Sequence, residues 1–469
     1  MDSIIPKSPV KNREVNKRFL LASFFLLTLT FFLHFHDLKV VFFPLSFAGS
    51  FLLSLMFTFW GAIYLKLNHK EIFYSFHKLA LLVTVCILSL LIAKGLEFAA
   101  HYKVHFLMEN MHYPLLVPFG SILVCLLLGS EVAIFTSFFL TLICGTFLDV
   151  DNLQFLVLNF VTSLVGILSA KKSIKQKEIF SVCIKVWLSS AIVIMAFHFT
   201  QNNMSVWGDL SATFVFMLAT SLMIIAILPV LESSFNVMTD MTLMEFADPS
   251  SPLLRRLSLE APGTYQHSLV VGNLAENAAR AIHADGLFCR ISSLYHDIGK
   301  LFNPHYFNEN QLGGLNIHQL LTPKESAQVI MTHIGEGECL ARKHRLPKSF
   351  IDVIKEHHGT SFVKYFYEKQ LALMKDDPSS VNPSDFSYQG PKPHTKESAI
   401  IMIADKVEAA SRSLVKVTEE SIAKMVESLV SEKMHDGQLD DCQLTFEELS
   451  IVKKEMIKTL VIARHLRVL

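Results

Sequence analysis

Charged residues are scarce in this sequence, and the two signs cancel. Only 18% of its 469 residues are charged, with 42 Lys and Arg against 42 Asp and Glu. Chains that bind nucleic acid polymers or other polyanions carry an excess of positive charge. This balance therefore argues against a DNA or RNA partner.

Cysteine is also uncommon and is not arranged for chemistry. The seven Cys residues include no C-x-x-C pair, and four of them lie inside apolar runs. The sequence therefore predicts neither a disulfide framework nor a thiolate zinc site. Strand patterns are almost absent from the second half, so we predict an all-α fold.

Long apolar runs dominate the first half. The chain is 51% hydrophobic, with a mean hydropathy of +0.40 and 38 Phe, as expected for a polytopic transmembrane helix bundle joined to a soluble part. Eight segments are long enough to cross a bilayer, or nearly so: 19–35, 40–65, 79–100, 114–129, 132–148, 153–170, 181–199 and 210–231. The fourth and fifth are short and nearly touch at Gly129, so seven spans is the alternative.

The distribution of Lys and Arg predicts the orientation. With the N-terminus inside and eight spans, twelve Lys and Arg fall in the inside segments, against Lys39, Lys94 and Lys103 at the outside. Positive residues mark the cytoplasmic side, so we expect everything after Glu232 to be cytoplasmic. The first run lacks a small-residue cleavage site near His36, which predicts a retained anchor rather than a signal peptide.

These patterns divide the chain into four parts. We predict a cytoplasmic basic N-terminus (1–18), a transmembrane region of seven to eight helices (19–232), a connector (233–259) and an all-helical cytoplasmic domain (260–469). In that last part we predict helices over 264–280, 287–300, 349–359, 395–414, 418–434 and 446–466, and one from 323 that carries His333. Thr264 is the predicted N-cap of the first, and capping boxes are predicted at Thr322 and Thr445.

An ordered set of His and Asp residues runs through the helical domain. Its members are His267, His296, Asp297, His333, His357, His358 and Asp405, all placed on predicted helices. Imidazole and carboxylate together suit iron, manganese or zinc. Two such ions can clamp a phosphodiester and activate a water, and one carboxylate, here Asp297, can bridge both ions. The side chains of neighbouring helical residues point about 100° apart. His357 and His358 can therefore both bind only if the site lies between their two directions, and they would then bind the same metal.

The same residues resemble a known superfamily. The H…HD…D order of His267, His296-Asp297 and Asp405 is that of the HD phosphohydrolases, and the extra His residues resemble its two-metal members. The stretches RRLSLEAPGTYQHSLVVGNLAE, YHDIGKLFNPHYFNENQ, HHGTSFVKYFYEK and GPKPHTKESAIIMIADKVEAASRSL look like the membrane-bound seven-transmembrane HD family of the PgpH type.

The resemblance carries several implications. Members of this family sit in the bacterial inner membrane and hydrolyse cyclic di-AMP to pApA with two divalent ions, manganese or iron. By motif, His267, His296, Asp297 and Asp405 would hold one ion, and His333, His357 and His358 would hold the other with Asp297. Members commonly carry a large extracellular domain after the first span, whereas only His36-Asp37-Leu38-Lys39 stands there in this chain. The sequence leaves open whether the chain forms a homo-oligomer.

The remaining site predictions concern the substrate. His296, Asp297 and Lys300 are the predicted catalytic residues, with Lys300 touching a phosphate or, alternatively, balancing a helix dipole. Arg412 would meet the second phosphate or only Glu408, four residues before it. Weaker predictions for substrate contacts fall on Tyr306, Asn310, Thr360 and Tyr365.

Other functions compete with this hypothesis. A cyclic di-GMP hydrolase is disfavoured because the Gly-Tyr-Pro triplet of that class does not follow His358. Hydrolases of other nucleotides usually use one metal. A catalytically weak receptor for a cyclic dinucleotide would not need the intact ligand set. A transporter would show matched Gly or Pro breaks, and only Pro114, Pro118 and Pro229 hint at these.

Overall fold

Helices account for nearly all regular structure in this chain. The computed structural model describes residues 9–34, 44–101, 113–148, 151–171, 175–200, 206–311, 317–374, 378–414 and 417–465. Within these ranges no strand forms, and the only β pairing is an isolated bridge between Phe362 and Ser387. The predicted all-α class is confirmed. The chain divides into two compact units between Thr242 and Leu243.

The first unit is a bundle of apolar helices. They are α1 (Pro9–His34), α2 (Pro44–Asn68), α3 (Lys70–Tyr74), α4 (Phe76–His101), α5 (Val117–Leu128), α6 (Ser130–Phe147), α7 (Asn152–Ala170), α8 (Glu178–Thr200) and α9 (Trp207–Phe235). By length and composition, six of the described helices can cross a membrane: α1, α2, α4, α7, α8 and α9. The chain is therefore a multi-pass membrane protein.

Helices α5 and α6 are the short pair predicted from the sequence. Gly129 alone separates them and adopts a φ of +98°, which L side chains rarely adopt, so the chain reverses there at little cost. The buried side chain of Asn159 on α7 completes the start of α5. Its Oδ1 accepts from the Leu116 and Val117 amides at 3.0 and 3.1 Å, and its Nδ2 donates to the Pro114 carbonyl at 2.9 Å. These bonds satisfy backbone groups that a bilayer cannot. Whether this pair counts as spans stays a prediction.

Parts of the predicted topology lie outside the described residues. They are the connection His36-Asp37-Leu38-Lys39, residues 1–8 of the basic N-terminus, and Lys103 and Lys172 of the charge count.

The second unit is a helical domain. Its helices are α11 (Pro252–Glu260), α12 (Pro262–Ala281), α13 (Gly286–Ser293), α14 (Pro323–Lys343), α15 (Lys348–Glu356), α16 (Lys364–Leu373), α17 (Lys396–Arg412), α18 (Glu419–His435) and α19 (Phe446–His465), and α10 (Asp240–Phe246) contains the point of division. The central helix is α12. Its buried Val271 and Leu274 share one core with Ile400 and Ile403 of α17 and with Val452 of α19.

The two predicted capping boxes are present, and a further cap that was not predicted begins α17. Thr322 and Glu325 form a reciprocal capping box at α14. At α19 the Glu448 amide donates to Thr445 Oγ1 at 3.2 Å, and the Thr445 amide donates to Glu448 Oε2 at 2.9 Å. Thr395 caps α17 by accepting from the Ser398 amide. Each cap satisfies amides that the first turn leaves unpaired.

Three predicted helix boundaries are wrong. Helix α12 starts at Pro262, so Thr264 is not its N-cap; the Thr264 amide donates instead to Asn310 Oδ1 at 3.1 Å. Helix α13 ends at Ser293, and the chain continues in turns, where the Ser293 carbonyl accepts from His296 Nδ1 at 2.6 Å. Helix α15 ends at Glu356. The pairs His296-Asp297 and His357-His358 therefore lie on turns and not on helices.

Candidate metal centre

Five segments of the helical domain bring the seven His and Asp residues together. His267 comes from α12, His333 from α14 and Asp405 from α17, while the two dipeptides come from the turns after α13 and α15. All seven are buried. They form two groups, His267-His296-Asp297-Asp405 and His333-His357-His358, within each of which the ligand atoms lie within 4.8 Å of one another.

The Asp297 carboxylate faces both groups. Its Oδ2 lies 3.2 Å from His296 Nε2 and 3.7 Å from His267 Nε2. Its Oδ1 lies 3.3 Å from His333 Nε2 and 3.6 Å from His357 Nε2. One oxygen therefore serves each group, which is the arrangement that a carboxylate shared by two ions requires.

A close backbone approach places Asp297 between the groups. The turn Ile298–Phe302 packs directly on α14 through Gly299. A Cβ at Gly299 would lie 1.8 Å from the His333 carbonyl oxygen, so only glycine fits at this contact. The dipeptide HD and the glycine two positions later thus act together: the glycine sets the distance between Asp297 and His333.

The Asp405 carboxylate also faces both groups. Its Oδ1 lies 3.0 Å from His267 Nε2, and its Oδ2 lies 3.7 Å from His358 Nδ1. His358 thus differs from the other four imidazoles in presenting Nδ1 to the centre.

Hydrogen bonds on the outer side orient the other four imidazoles. The Nδ1 atoms of His296, His333 and His357 donate to the carbonyls of Ser293, Ile330 and Ile354, at 2.6, 2.6 and 2.9 Å. A carbonyl only accepts, so each of these Nδ1 atoms carries a proton. In the neutral rings of His333 and His357 the Nε2 lone pair therefore points inward. His267 Nδ1 contacts Glu408 Oε2 at 2.5 Å. Such outer partners are typical of metal-binding histidines.

Three buried atoms of the cluster have no hydrogen-bond partner: His296 Nε2, Asp297 Oδ1 and His358 Nδ1. Buried polar atoms are nearly always paired in folded proteins, and leaving one unpaired costs about 1–3 kcal/mol. All three atoms point into the cluster. The nitrogen and oxygen donor set fits borderline and hard divalent ions such as manganese, iron or zinc.

The electrostatics of the two groups differ. Burial lowers the pKa of His333 to about 3 and also lowers the pKa values of His357 and His358, so this group consists of neutral imidazoles. Burial opposes the charge of His296 as well, but the neighbouring Asp297 and Asp405 raise its pKa to about 10. In the first group, the carboxylates of Asp297 and Asp405 thus stabilise a proton on His296. The same negative charge would stabilise a metal cation.

Lys300 compensates part of the buried negative charge. Its Nζ lies 2.7 Å from both Asp297 Oδ2 and Glu309 Oε1, and 4.9 Å from the centroid of the Phe307 ring. Burial would raise the pKa of Asp297, but Lys300 and His296 hold it well below its usual range. Lys300 therefore keeps Asp297 ionised. The predicted contact of Lys300 with a phosphate stays a prediction.

A cavity of about 610 Å³ opens over the cluster, and its size suits a small-molecule ligand. Its lining includes Lys300, Lys406 and Arg412 together with the rings of Phe307, Phe362 and Tyr388. Arg412 donates from Nε to Glu408 Oε1 at 2.7 Å, the acidic neighbour that the sequence offers as its alternative partner. The cavity thus combines cations with aromatic faces above the two groups.

Four predicted substrate contacts do not line this cavity. Asn310 holds the start of α12, with Nδ2 donating to Thr264 Oγ1 at 2.9 Å. The Thr360 amide donates to Gln438 Oε1 at 2.9 Å. The Tyr306 carbonyl accepts from His318, and Tyr365 is 69% exposed. Asn310, Thr360 and Tyr306 thus hold neighbouring backbone segments together in this conformation, and Tyr365 lies at the surface.

Three residues at or behind the cluster were not predicted as part of it, although Glu408 was predicted as a partner of Arg412. Glu408 lies one turn after Asp405 on α17, so helical spacing alone was a usable signal. The buried Tyr388 ring lies 4.3 Å from His358, but it comes from an irregular loop without periodicity. Gln438, which holds the turn of His357 and His358, is far away in the chain and carried no signal.

A polytopic helical unit joined to a helical domain with a buried H…HD…D cluster defines a membrane-anchored protein of the HD hydrolase class. Residues 44–239 match the family described as 7TM receptor with intracellular HD hydrolase, and residues 264–410 match the HD domain. The membrane unit is thus similar to this family of 7TM receptors with an intracellular HD hydrolase, and the helical domain is similar to the HD domain.

Curated relatives agree with this assignment. The chain is 35% identical over 374 residues to the cyclic-di-AMP phosphodiesterase PgpH of Bacillus subtilis, which covers 77% of this chain and 51% of that protein. It is 41% identical over 244 residues to PgpH of Listeria monocytogenes, covering 52% of this chain and 33% of that protein. The chain thus spans about half the length of the B. subtilis protein and about a third of the length of the L. monocytogenes protein.

A solved structure is also similar in sequence. The crystal structure of the HD domain of L. monocytogenes PgpH in complex with cyclic di-AMP is 42% identical, covers 45% of this chain and 98% of that chain, and has a TM-score of 0.44.

Proposed function

We propose that this chain is a membrane-bound phosphodiesterase that hydrolyses cyclic di-AMP to pApA with two divalent ions, manganese or iron. The observation that carries the proposal is the Asp297 carboxylate, with one oxygen toward each ligand group. The curated relatives named for this activity support the choice of substrate. The charge distribution supports a cell-membrane location with the helical domain in the cytoplasm.

The two groups would share the work of holding the ions. His267, His296 and Asp405 would hold one and the three neutral imidazoles the other, with Asp297 common to both. When bound, such ions neutralise phosphate oxygens and lower the pKa of a coordinated water. In the hydrolysis, the oxygen of a water adds to phosphorus, the bond to a 3′ oxygen breaks, and that oxygen gains a proton. The product keeps a 5′ phosphate.

Residues of the cavity would bind and orient the substrate. Lys406 and Arg412 at its edge provide positive charge for the phosphate that is not being cleaved. The Phe307, Phe362 and Tyr388 rings provide apolar faces for a base. The main role that we assign to Lys300 is to keep Asp297, the ligand common to both ions, ionised.

The test uses the full-length chain in detergent, loaded with manganese. Cyclic di-AMP and cyclic di-GMP are supplied separately, and products are separated by chromatography. We expect cyclic di-AMP to give pApA, and Asp297→Ala to abolish the reaction and reduce the metal content. Asp441→Ala, which removes an exposed carboxylate of the same unit, is the matched control and should leave both unchanged.

Three results would overturn the proposal. Near-full turnover by Asp297→Ala with normal metal content would remove Asp297 from the site. Binding of cyclic di-AMP without turnover, in protein with two ions per chain, would favour the alternative of a membrane receptor. Turnover of another nucleotide alone would make the chain an HD hydrolase of a different substrate.

A further inference from the structure

We propose that Lys433 is a positioning residue for substrate binding. Through its bond to Ser361 it holds a short backbone bridge, whose two rings, those of Phe362 and Tyr388, face a nucleobase in the cavity over the metal cluster. The nature of the ligand rests on the proposed function, whereas the role of the lysine in holding the bridge does not.

Lys433 is a buried cation in the last turn of α18, where it is 6% exposed. Its Nζ donates to Ser361 Oγ at 2.7 Å, and no carboxylate of the described residues forms an ion pair with it. Lysine is almost never this buried unless it is paired. Burial, followed by the nearby Lys406, lowers the pKa of the Lys433 amine to about 8. The surroundings thus disfavour the charge, and the bond to Ser361 is the contact that distinguishes this lysine.

Ser361 joins the metal-binding turn to the bridge. Its amide donates to the His358 carbonyl at 3.1 Å, and its carbonyl accepts from the Tyr388 amide at 3.0 Å. The amide, the carbonyl and the hydroxyl of Ser361 are therefore bonded to three different segments: the metal-binding turn, the opposite side of the bridge and α18. Loss of the bond from Lys433 removes one of these three constraints.

The bridge consists of residues 361–363 and 386–388. Phe362 and Ser387 pair as an isolated antiparallel β-bridge, and the Val363 amide donates to the Phe386 carbonyl at 2.8 Å. Two short paired segments without a third strand are marginally stable in water. The bridge therefore depends on contacts from outside it, and the bond from α18 to Ser361 is such a contact.

The two rings carried by the bridge line the cavity. Phe362 is 50% exposed, so part of its ring is accessible to a ligand. The Tyr388 ring lies 4.3 Å from the ring of His358, which places it beside the second ligand group. Aromatic side chains stack with nucleobases. A base held on these rings lies at a fixed distance from the metal cluster, so the bridge orients a bound dinucleotide.

A direct bond from Lys433 to a phosphate is the other role that a cation could have here. Lys433 is not among the residues that line the described part of the cavity, whereas Lys406 and Arg412 are. Those two residues thus supply the positive charge that faces a ligand. Lys433 acts instead through Ser361, and the test below separates the two roles.

The experiment uses the full-length chain in detergent with manganese and compares Lys433→Met with the parent chain. Methionine keeps the length of the side chain but cannot donate to Ser361. The substrates are cyclic di-AMP and methyl p-nitrophenyl phosphate, a phosphodiester without a nucleobase. We expect the KM for cyclic di-AMP to rise about tenfold, as for the loss of one stacked base. Turnover of the nitrophenyl ester should be unchanged because the metal cluster stays intact.

Hydrogen exchange measures the bridge directly and without any substrate. The amides of Val363 and Tyr388 close the bridge, so peptides that cover them should exchange faster in Lys433→Met than in the parent chain. Lys424→Met removes an exposed lysine of the same helix and is the matched control. It should change neither the exchange of these peptides nor the KM.

Ser361→Ala removes the other partner of the bond and separates positioning from folding. This variant leaves the buried Lys433 amine without its acceptor, so its thermal midpoint should fall. Lys433→Met should keep the midpoint of the parent chain, because it removes a buried amine that the surroundings disfavour. The double variant should recover the midpoint, and its KM should rise no further than in either single variant, since both changes break the same bond.

Three results would overturn the inference. Unchanged exchange in Lys433→Met would show that the bridge does not depend on this lysine. Equal loss of turnover with both substrates would show that Lys433 supports the metal cluster, and additive rises in KM in the double variant would show that the two residues act separately. If Lys433→Met does not elute as a single species, Ser361→Ala decides by the same measurements.

Failure of the proposed function would look different. A parent chain that hydrolyses the nitrophenyl ester but not cyclic di-AMP would refute the proposed substrate, and with it the assignment of the rings to an adenine base. The exchange of the Val363 and Tyr388 peptides would still decide whether Lys433 holds the bridge.

Discussion

Glu408 Oε2 lies 2.5 Å from His267 Nδ1, on the opposite side of the imidazole from Asp405, whose Oδ1 lies 3.0 Å from Nε2. One turn of α17 therefore contacts both nitrogens of one ring. A carboxylate behind a metal-binding histidine fixes the ring and raises its basicity. Arg412 and His267 in turn hold the pKa of the Glu408 carboxyl below its usual range, although its burial works in the opposite direction.

We predict that Glu408→Gln weakens metal binding without unfolding the domain. The amide can still accept from Nδ1, but it lacks the charge that polarises the imidazole, so affinity for manganese should fall by about 10–100-fold. Metal content after dialysis against graded manganese concentrations measures this. Glu419→Gln, an exposed site on α18, is the control. Unchanged metal affinity would show that Glu408 serves only packing.

Manganese should stabilise the chain through the same cluster. A ligand that binds only the folded state at about 100 times its Kd adds about 2.7 kcal/mol to the free energy of unfolding. We therefore expect added manganese to raise the midpoint of thermal unfolding, and a chelator to reverse the rise. Asp297→Asn should lose most of this rise because the amide carries no charge and only one oxygen, so one group loses its Asp297 ligand atom, whereas Asp441→Asn should keep it. An equal rise in both variants would contradict the shared-ligand assignment.

Lys300→Met separates a structural from a catalytic role of this lysine. The change removes the ammonium partner that Asp297 and Glu309 share, and removing one partner of a buried ion pair costs about 3–5 kcal/mol. We expect a lower thermal midpoint without metal, and a larger gain on adding manganese than in the parent chain, because the ions replace the lost positive charge. Lys324→Met, which removes a more exposed lysine paired with Asp385 at 2.7 Å, is the control. A normal midpoint with reduced turnover would instead indicate a direct phosphate contact.

The order of His and Asp, together with its resemblance to the HD motif, was enough to predict which seven residues meet. It was not enough to predict their local conformation. His296 and His358 were expected on helices, but the chain forms turns there, with Gly299 packed against the backbone of His333 after the first pair and Gly359 at a φ of +53° after the second. Tyr388 was out of reach for another reason: it enters the site through tertiary packing of an irregular loop, which leaves no periodic pattern.

Gln438 shows how the C-terminal helices support the cluster. Its Oε1 accepts from the Thr360 amide at 2.9 Å, and its Nε2 donates to Thr360 Oγ1 at 3.0 Å. Thr360 follows the turn of His357 and His358, whereas Gln438 lies beyond the matched HD domain, which ends at residue 410. Gly359 has a φ of +53°, and a Cβ there would lie 2.4 Å from Gln438 Oε1. The amide of Gln438 and the glycine thus define the turn together.

We predict that Gln438→Ala loosens this turn and weakens the second ligand group more than the first. Loss of the two bonds leaves the Thr360 amide without its partner, at a cost of about 1–3 kcal/mol in the free energy of unfolding. At limiting manganese, metal content should fall from two ions per chain toward one, and excess manganese should restore turnover. Gln328→Ala, an exposed change on α14, should do neither. Equal loss of both ions would show that the turn supports the whole cluster, and unchanged content would show that packing alone holds His357 and His358 in place.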